Sequence, residues 1–204
     1  MLFRATVNRT LILEVLLRAT VNRTLILEVL LRATVKMNNL EVWMRGPIAG
    51  LSPMLQPVAH ALLQVREEVN TLMIDFPEEY LWETPAGVAS VGFHLQHLSG
   101  VLDRLFTYAR DKMLDEDQLE LLELEKVSPQ YNLTVKKLLT RFNNQVNKAL
   151  TQLKNTGEKT LLEPRVIGRK KIPTNVIGLY FHAAEHSTRH FGALMVTVRV
   201  LKGE

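Results

Sequence analysis

The chain has 204 residues, 47% of them hydrophobic, which is enough for one domain with a substantial core. It contains no cysteine, which excludes disulfides, thiolate metal sites and a cysteine nucleophile, and makes a reducing cytoplasm the expected location. The net charge is +4, but residues 1–43 hold six basic and three acidic residues and so carry +3 of it. Residues 44–204 are therefore nearly neutral, and no nucleic-acid partner is expected.

Residues 1–43 form a repetitive leader. Residues 3–16 read FRATVNRTLILEVL, residues 17–30 read LRATVNRTLILEVL, and a third copy begins at Leu31. Two copies of this length are too few to stack a core, the apolar positions keep no coiled-coil seam, and charges recur too often for a membrane span. We interpret the leader as a duplication, or as sequence upstream of a functional start at Met37 or Met44. An interaction helix or hairpin is the alternative. The predicted domain is residues 44–204.

Two amphipathic helices are predicted in the first half of this domain. Ser52 and Pro53 suit a helix N-terminus, and apolar residues then recur at three- and four-residue steps to about residues 70–73, before Pro77. A second helix begins near Ser90 after the loop FPEEYLWETPAG and reads VGFHLQHLSGVLDRLFTYA. Its two histidines, three residues apart, lie on one face.

Two further helices are predicted in the second half. The acidic stretch 115–125 is expected to be a solvated turn or short helix with only a surface role. A third amphipathic helix covers residues 134–153, a long loop covers residues 155–173, and the last helix covers residues 174–202. With no convincing strands, the four amphipathic helices predict an all-α fold, an antiparallel four-helix bundle.

The histidines are concentrated on two of these helices. His182, His186 and His190 follow one another at four-residue steps, which return a side chain to nearly the same helix face. Two imidazoles one turn apart can hold one transition-metal ion. His60 is alone on the first helix and is expected to be a packing or boundary residue. The other five lie on the second and last helices, so we predict a metal site between them.

The last-helix sequence HAAEHSTRHFGALMVTVRVL resembles the last helix of the DinB-like family (damage-inducible, metal-dependent hydrolase-like), which carries a motif close to HxxxHRGQ. The sequence GFHLQHLSGVLDRLFTYA resembles the second helix of that family, and the likeness covers most of residues 44–204. The resemblance implies a divalent transition metal held by His97, His186 and His190, with nickel or zinc favoured over manganese or iron. Phe191 departs from the motif where it has a basic residue, and Ala193 where it has glutamine.

Three neutral imidazoles leave a coordination position open, which is typical of catalytic metal sites. The resemblance implies a small-molecule substrate and either hydrolysis or transfer or isomerisation with a low-molecular-weight thiol. Glu185 lies about 100° from the metal face and Asp103 is also poorly placed, so no general base is evident. The candidate catalytic residues are His94 and His182, acting in proton transfer or as orienting neighbours of the ligands.

The rival interpretation is a non-catalytic helical bundle that binds metal or dimerises. The loss of the motif glutamine at Ala193 and the lack of an evident base favour it. A homodimer is therefore left open, and no membrane partner is expected.

Overall fold

The computed structural model describes Arg23, residues 40–125 and residues 133–204. Residues 1–45 and 46–204 are two compact units. In the first unit, the described part is a 3-10 turn, Val42–Arg45, in which the Arg45 guanidinium donates to the Leu40 carbonyl at 2.9 and 2.7 Å. Apart from Arg23, the repeats of residues 3–30 lie outside the described residues, and the predicted domain start at residue 44 stays a prediction.

The second unit is mainly helical, as the sequence predicts. Its described residues include five α-helices: α1 (Gln56–Leu72), α2 (Val91–Ala109), α3 (Glu116–Leu124), α4 (Val135–Lys154) and α5 (Val176–Lys202). Helix α2 contacts α4 and α5, and α1 contacts the same two helices. Buried apolar side chains from these four long helices form one core. In the part of the chain that the structure describes, no helix combines the length and apolarity needed to cross a membrane.

The helix starts follow from side chains that cap exposed backbone N–H groups. The Ser90 hydroxyl caps α2, the Thr134 hydroxyl caps α4 and the Asn175 side chain caps α5, each accepting from the amide three residues further on. Helix α5 ends at Lys202 and is capped by Gly203, whose φ of 75° places it in the left-handed region that glycine tolerates. The caps at Ser90 and Asn175 fix where α2 and α5, the helices that carry five of the six histidines, begin.

The segment predicted as a long loop before the last helix contains a small sheet, which corrects the all-α prediction. Strand β1 (Pro164–Ile167) pairs antiparallel with β2 (Ile172–Asn175). The turn between them has Gly168 at φ 62° and Lys171 at φ 48°, so the basic residues 169–171 lie in a tight turn. Each strand has only four residues and contains a proline, so no alternating pattern marks it in the sequence. Helix α5 starts at residue 176 because β2 occupies the preceding residues.

Helix α2 is the most deeply buried of the helices. Fifteen of its nineteen residues are buried, including polar ones, so side chains that a surface helix would expose to water lie inside the protein. His94 is only 4% exposed. Buried polar groups need partners. His94 finds one in His190 on α5, and Thr107 accepts a hydrogen bond from Gln118 on α3.

Candidate metal centre

Four histidines from two helices meet where α2 packs against α5. The Nε2 atom of His97 lies 2.9 Å from Nε2 of His186, and the Nδ1 atom of His94 lies 3.2 Å from Nδ1 of His190. The ring centroid of His190 is 4.3 Å from that of His97 and 4.5 Å from that of His186. The contact between the helices therefore gathers these imidazoles into one cluster, which we call the histidine cluster.

Three members of the histidine cluster have the arrangement that a metal ion requires. His97, His186 and His190 each offer one ring nitrogen, and these nitrogens all lie within 4.8 Å of one another. The three residues are half-buried, so the cluster is neither sealed nor fully exposed. These are the three residues named as ligands from the sequence; the structure brings them together, and their role as metal ligands stays a prediction.

The protein environment favours the neutral form of three rings of this cluster, those of His94, His186 and His190. Burial, followed by repulsion from a positive charge on His97, lowers the pKa of His94 to about 4. Burial is also the main cause that lowers the pKa values of His186 and His190 to about 4, again with His97 as the next cause. Because neutral imidazole is the form that binds metals, the rings of His186 and His190 are ready to act as ligands at neutral pH.

A buried carboxylate contacts the cluster from outside. Oε2 of Glu125 lies 2.9 Å from Nδ1 of His97. Arg104 donates to both carboxylate oxygens, at 2.6 Å to Oε1 and 3.2 Å to Oε2. Burial alone would raise the pKa of Glu125, but the hydrogen bonds from His97 and Arg104 outweigh it and hold that pKa below its usual value. The expectation of only a surface role for residues 115–125 is therefore wrong at Glu125, which is 6% exposed.

The sequence missed Glu125 because its role depends on tertiary contacts. It follows α3, a helix with no buried residue, so its own neighbours predict a solvated carboxylate. The available signal was on α2, where Gly100 and Arg104 share a helix face with His97. A small residue leaves room beside the candidate ligand and a cation attracts negative charge, so together they indicate that a carboxylate can bind there.

The other sequence candidates lie at the edge of the cluster or elsewhere. His182 is 48% exposed, with Nδ1 at 3.4 Å from the carboxylate of Glu185, and its ring centroid is 5.2 Å from that of His186. Glu185 itself accepts three hydrogen bonds from Arg189. His60 contacts the backbone oxygen of Gly46 at 3.2 Å, which agrees with a packing role.

Two other residues named from the sequence contact groups outside the cluster. The carboxylate of Asp103 accepts from the side-chain amides of Gln118 and Gln145, so it is used in holding α2 to its neighbours. Phe191, which departs from the motif, packs partly buried against the core. Neither residue offers an acid or base to the cluster.

The sequence model of the DinB superfamily matches residues 43–194. No curated protein sequence matches the chain. Two solved structures are similar to this chain. A conserved protein from Enterococcus faecalis matches with a TM-score of 0.59 and 15% identity, over 74% of this chain and 98% of that one. A protein from Streptococcus pneumoniae matches with a TM-score of 0.56 and 16% identity, over 74% of this chain and 91% of that one. At these identities the likeness shows the fold alone.

Proposed function

The chain belongs to the DinB superfamily, and on that premise we propose that it is a metal-dependent enzyme whose ion is held by His97, His186 and His190. The observation that carries the proposal is the meeting of three half-buried imidazoles from two helices, with ring nitrogens within 4.8 Å. Helices α1, α2, α4 and α5 are proposed to form the antiparallel bundle that creates this site, and their mutual contacts support that arrangement.

The donor atoms fit a divalent transition metal. Imidazole suits zinc, nickel, copper and iron, and a chain without cysteine has no thiolate to compete for the ion. The facing Nε2 atoms of His97 and His186 can share only one proton in their 2.9 Å contact, whereas an ion would use both lone pairs. The other ring nitrogen of His186, the buried Nδ1, has no hydrogen-bond partner among the described residues. Nickel and zinc are the favoured metals.

The proposed activity is hydrolysis, or a transfer or isomerisation that uses a low-molecular-weight thiol, on a small-molecule substrate. A divalent ion held by three protein ligands would supply Lewis-acid chemistry at an open coordination position. Among the chain's own residues, His94 orients His190 through their 3.2 Å contact. His182, on the solvent side of His186, is the candidate to carry a proton between the site and water. Both roles are part of the proposal.

A non-catalytic bundle that binds metal or dimerises is the second candidate. Ala193 is exposed and, where the motif has glutamine, offers no polar group. Phe191 is packed against the core in place of a basic residue. The exposed Val196 and Val200 at the end of α5 add apolar surface of the kind that a dimer would cover.

The test is the metal content of the purified, tag-free full-length chain, measured by plasma mass spectrometry beside His97→Ala, His186→Ala and the matched control His60→Ala. We expect about one ion per chain in the parent and the control, and a loss of the ion in the other two variants. A thiol-dependent turnover screen then separates the enzyme from the non-catalytic bundle. A metal-free parent that nickel, zinc and manganese fail to stabilise would contradict the proposed site.

A further inference from the structure

Glu125 is buried although the helix before it is not. Helix α3 has no buried residue, whereas Glu125, the next residue in the chain, is 6% exposed. A carboxylate is rarely buried unless it is paired, because removing it from water is costly. The contacts that compensate this cost therefore indicate what the residue does.

Among the described residues, the hydrogen-bond partners of this carboxylate all lie on one face of α2. Oε1 accepts from Arg104, and Oε2 contacts both Arg104 and Nδ1 of His97. His97, Gly100 and Arg104 stand three and four residues apart, which places them along one side of the helix. Arg104 neutralises the carboxylate and orients both of its oxygens, so the remaining interaction is directed at His97.

Gly100 provides the space for this contact. A Cβ atom at position 100 would lie 1.8 Å from Oε1 of Glu125 and 2.5 Å from Nη1 of Arg104. Any larger residue would force the carboxylate away from α2. The glycine has a helical conformation, so the close approach of Glu125 is the reason that the structure shows for it.

We propose that Glu125 is the positioning residue of the histidine cluster. Its carboxylate accepts a hydrogen bond from the Nδ1–H group of His97 and so keeps the Nε2 lone pair of His97 directed at His186. A carboxylate beyond a ligating histidine fixes the ring's tautomer and orientation and makes the ring a better ligand. The inference rests on the proposed metal site for its purpose, but the tautomer of His97 is a property of the metal-free protein.

The sharpest variant is Glu125→Gln, because neither orientation of the amide preserves both contacts. With its oxygen toward His97, the glutamine NH₂ faces the donating Nη1 of Arg104. With its NH₂ toward His97, it requires Nδ1 to accept, which moves the ring proton to Nε2. Gly100→Ala is the second variant, since it displaces the carboxylate without removing it. Glu120→Gln is the matched control, an exposed position on α3 with the same change of charge.

The primary experiment is a long-range ¹H–¹⁵N spectrum of the imidazole rings in the metal-free full-length chain, with the His97 signals assigned by their loss in His97→Ala. We expect His97 to be protonated at Nδ1 in the parent and in Glu120→Gln, and to become wholly or partly protonated at Nε2 in Glu125→Gln and Gly100→Ala. An Nε2-protonated His97 in the parent, or an unchanged tautomer in both variants, would overturn the proposal.

Calorimetric titration with Zn²⁺ measures the consequence for the site. Loss of such an outer contact typically weakens metal affinity by about 10–100-fold, and we expect that loss in Glu125→Gln and Gly100→Ala but not in Glu120→Gln. Parent-like affinity in both variants would count against the role of Glu125. If the parent binds neither Zn²⁺ nor Ni²⁺, the proposed function fails, while the His97 tautomer still decides whether Glu125 positions the ring.

Discussion

At the scale of single residues, the chemistry of the histidine cluster depends on where a few protons lie. In the contacts His97–His186 and His94–His190, one ring nitrogen must donate and the other accept. Burial is the main cause that lowers the pKa values of His94, His186 and His190 to about 4, so these three rings are neutral at neutral pH. Glu125 decides which nitrogen of His97 carries the proton, because its ionised carboxylate can only accept a hydrogen bond and therefore requires Nδ1 to donate.

Acid is predicted to destabilise the metal-free protein well before its carboxylates protonate. His94, His186 and His190 have folded-state pKa values near 4, against an unfolded value of 6.5. Between these two pKa values the unfolded chain binds more protons than the folded protein. The stability that the three neutral rings contribute is therefore fully present above about pH 6.5 and is lost as the pH falls toward 4. Glu125 and Arg104 carry opposite charges that largely cancel, so this pair does not reverse the direction in which stability changes with pH.

The measurement is the urea midpoint of the chelator-treated protein at pH 7.5 and at pH 5.0. The midpoint should be lower at pH 5.0, with uptake of at least one proton on unfolding. His94→Gln should reduce the difference, because it removes one of the three rings. Equal midpoints for the parent at the two pH values would show that the rings are not held neutral.

Arg104→Met is predicted to cost about 3 kcal/mol of unfolding free energy, because it leaves Glu125 buried without its cation. Methionine keeps much of the length and apolar volume of the arginine stem, so the loss reports mainly on the charge. The control is Arg189→Met, which breaks an exposed pair with Glu185 on α5 and should change stability by less than about 0.5 kcal/mol. Similar losses for the two variants in urea unfolding would refute the importance of the buried pair.

At the scale of secondary-structure elements, the sequence predicted the features that depend on neighbouring residues in the chain, namely the long helices and their capped starts. The periodicity of apolar residues located the long helices, and α4 begins within one residue of the predicted start because the Thr134 hydroxyl caps it. The hairpin of residues 164–175 was missed because its pairing joins two short proline-containing strands whose pattern resembles a loop. Glu125 was missed for a related reason, since only packing of the α3 end against α2 buries it.

The packing of the α2 N-terminus yields a prediction at this scale. A Cβ atom on Gly92 would lie 2.3 Å from the ring of Trp82, a bulky and rigid neighbour. Gly92→Ala should therefore destabilise the protein by about 1–3 kcal/mol and change the tryptophan fluorescence. Gly192→Ala, where no atom of the described residues lies within 4 Å of the added carbon, should instead be neutral or stabilise α5 by up to about 1 kcal/mol. Urea unfolding of the two variants, followed by fluorescence, compares them; a stabilising Gly92→Ala would mean that Trp82 moves freely.

At the scale of the whole molecule, the histidine cluster joins helices that are distant in the chain. His97 belongs to α2, whereas His186 and His190 belong to α5, so between 89 and 93 residues separate the proposed ligands in sequence. An ion bound by all three would connect the two helices directly. Because the unfolded chain does not hold these rings together, binding would stabilise only the folded state.

Metal is consequently predicted to raise the stability of the whole domain and to do so through α2 and α5. At a free Ni²⁺ or Zn²⁺ concentration one hundred times its Kd, the gain in unfolding free energy is about 2.7 kcal/mol. Hydrogen exchange should slow in α2 and α5, with a smaller effect on the exposed hairpin β1–β2, which supplies no ligand. The comparison is between the chelated and metal-loaded full-length chain and between the parent and His97→Ala. Equal stabilisation of His97→Ala would place the ion elsewhere, since two histidines on α5 alone cannot connect that helix to α2.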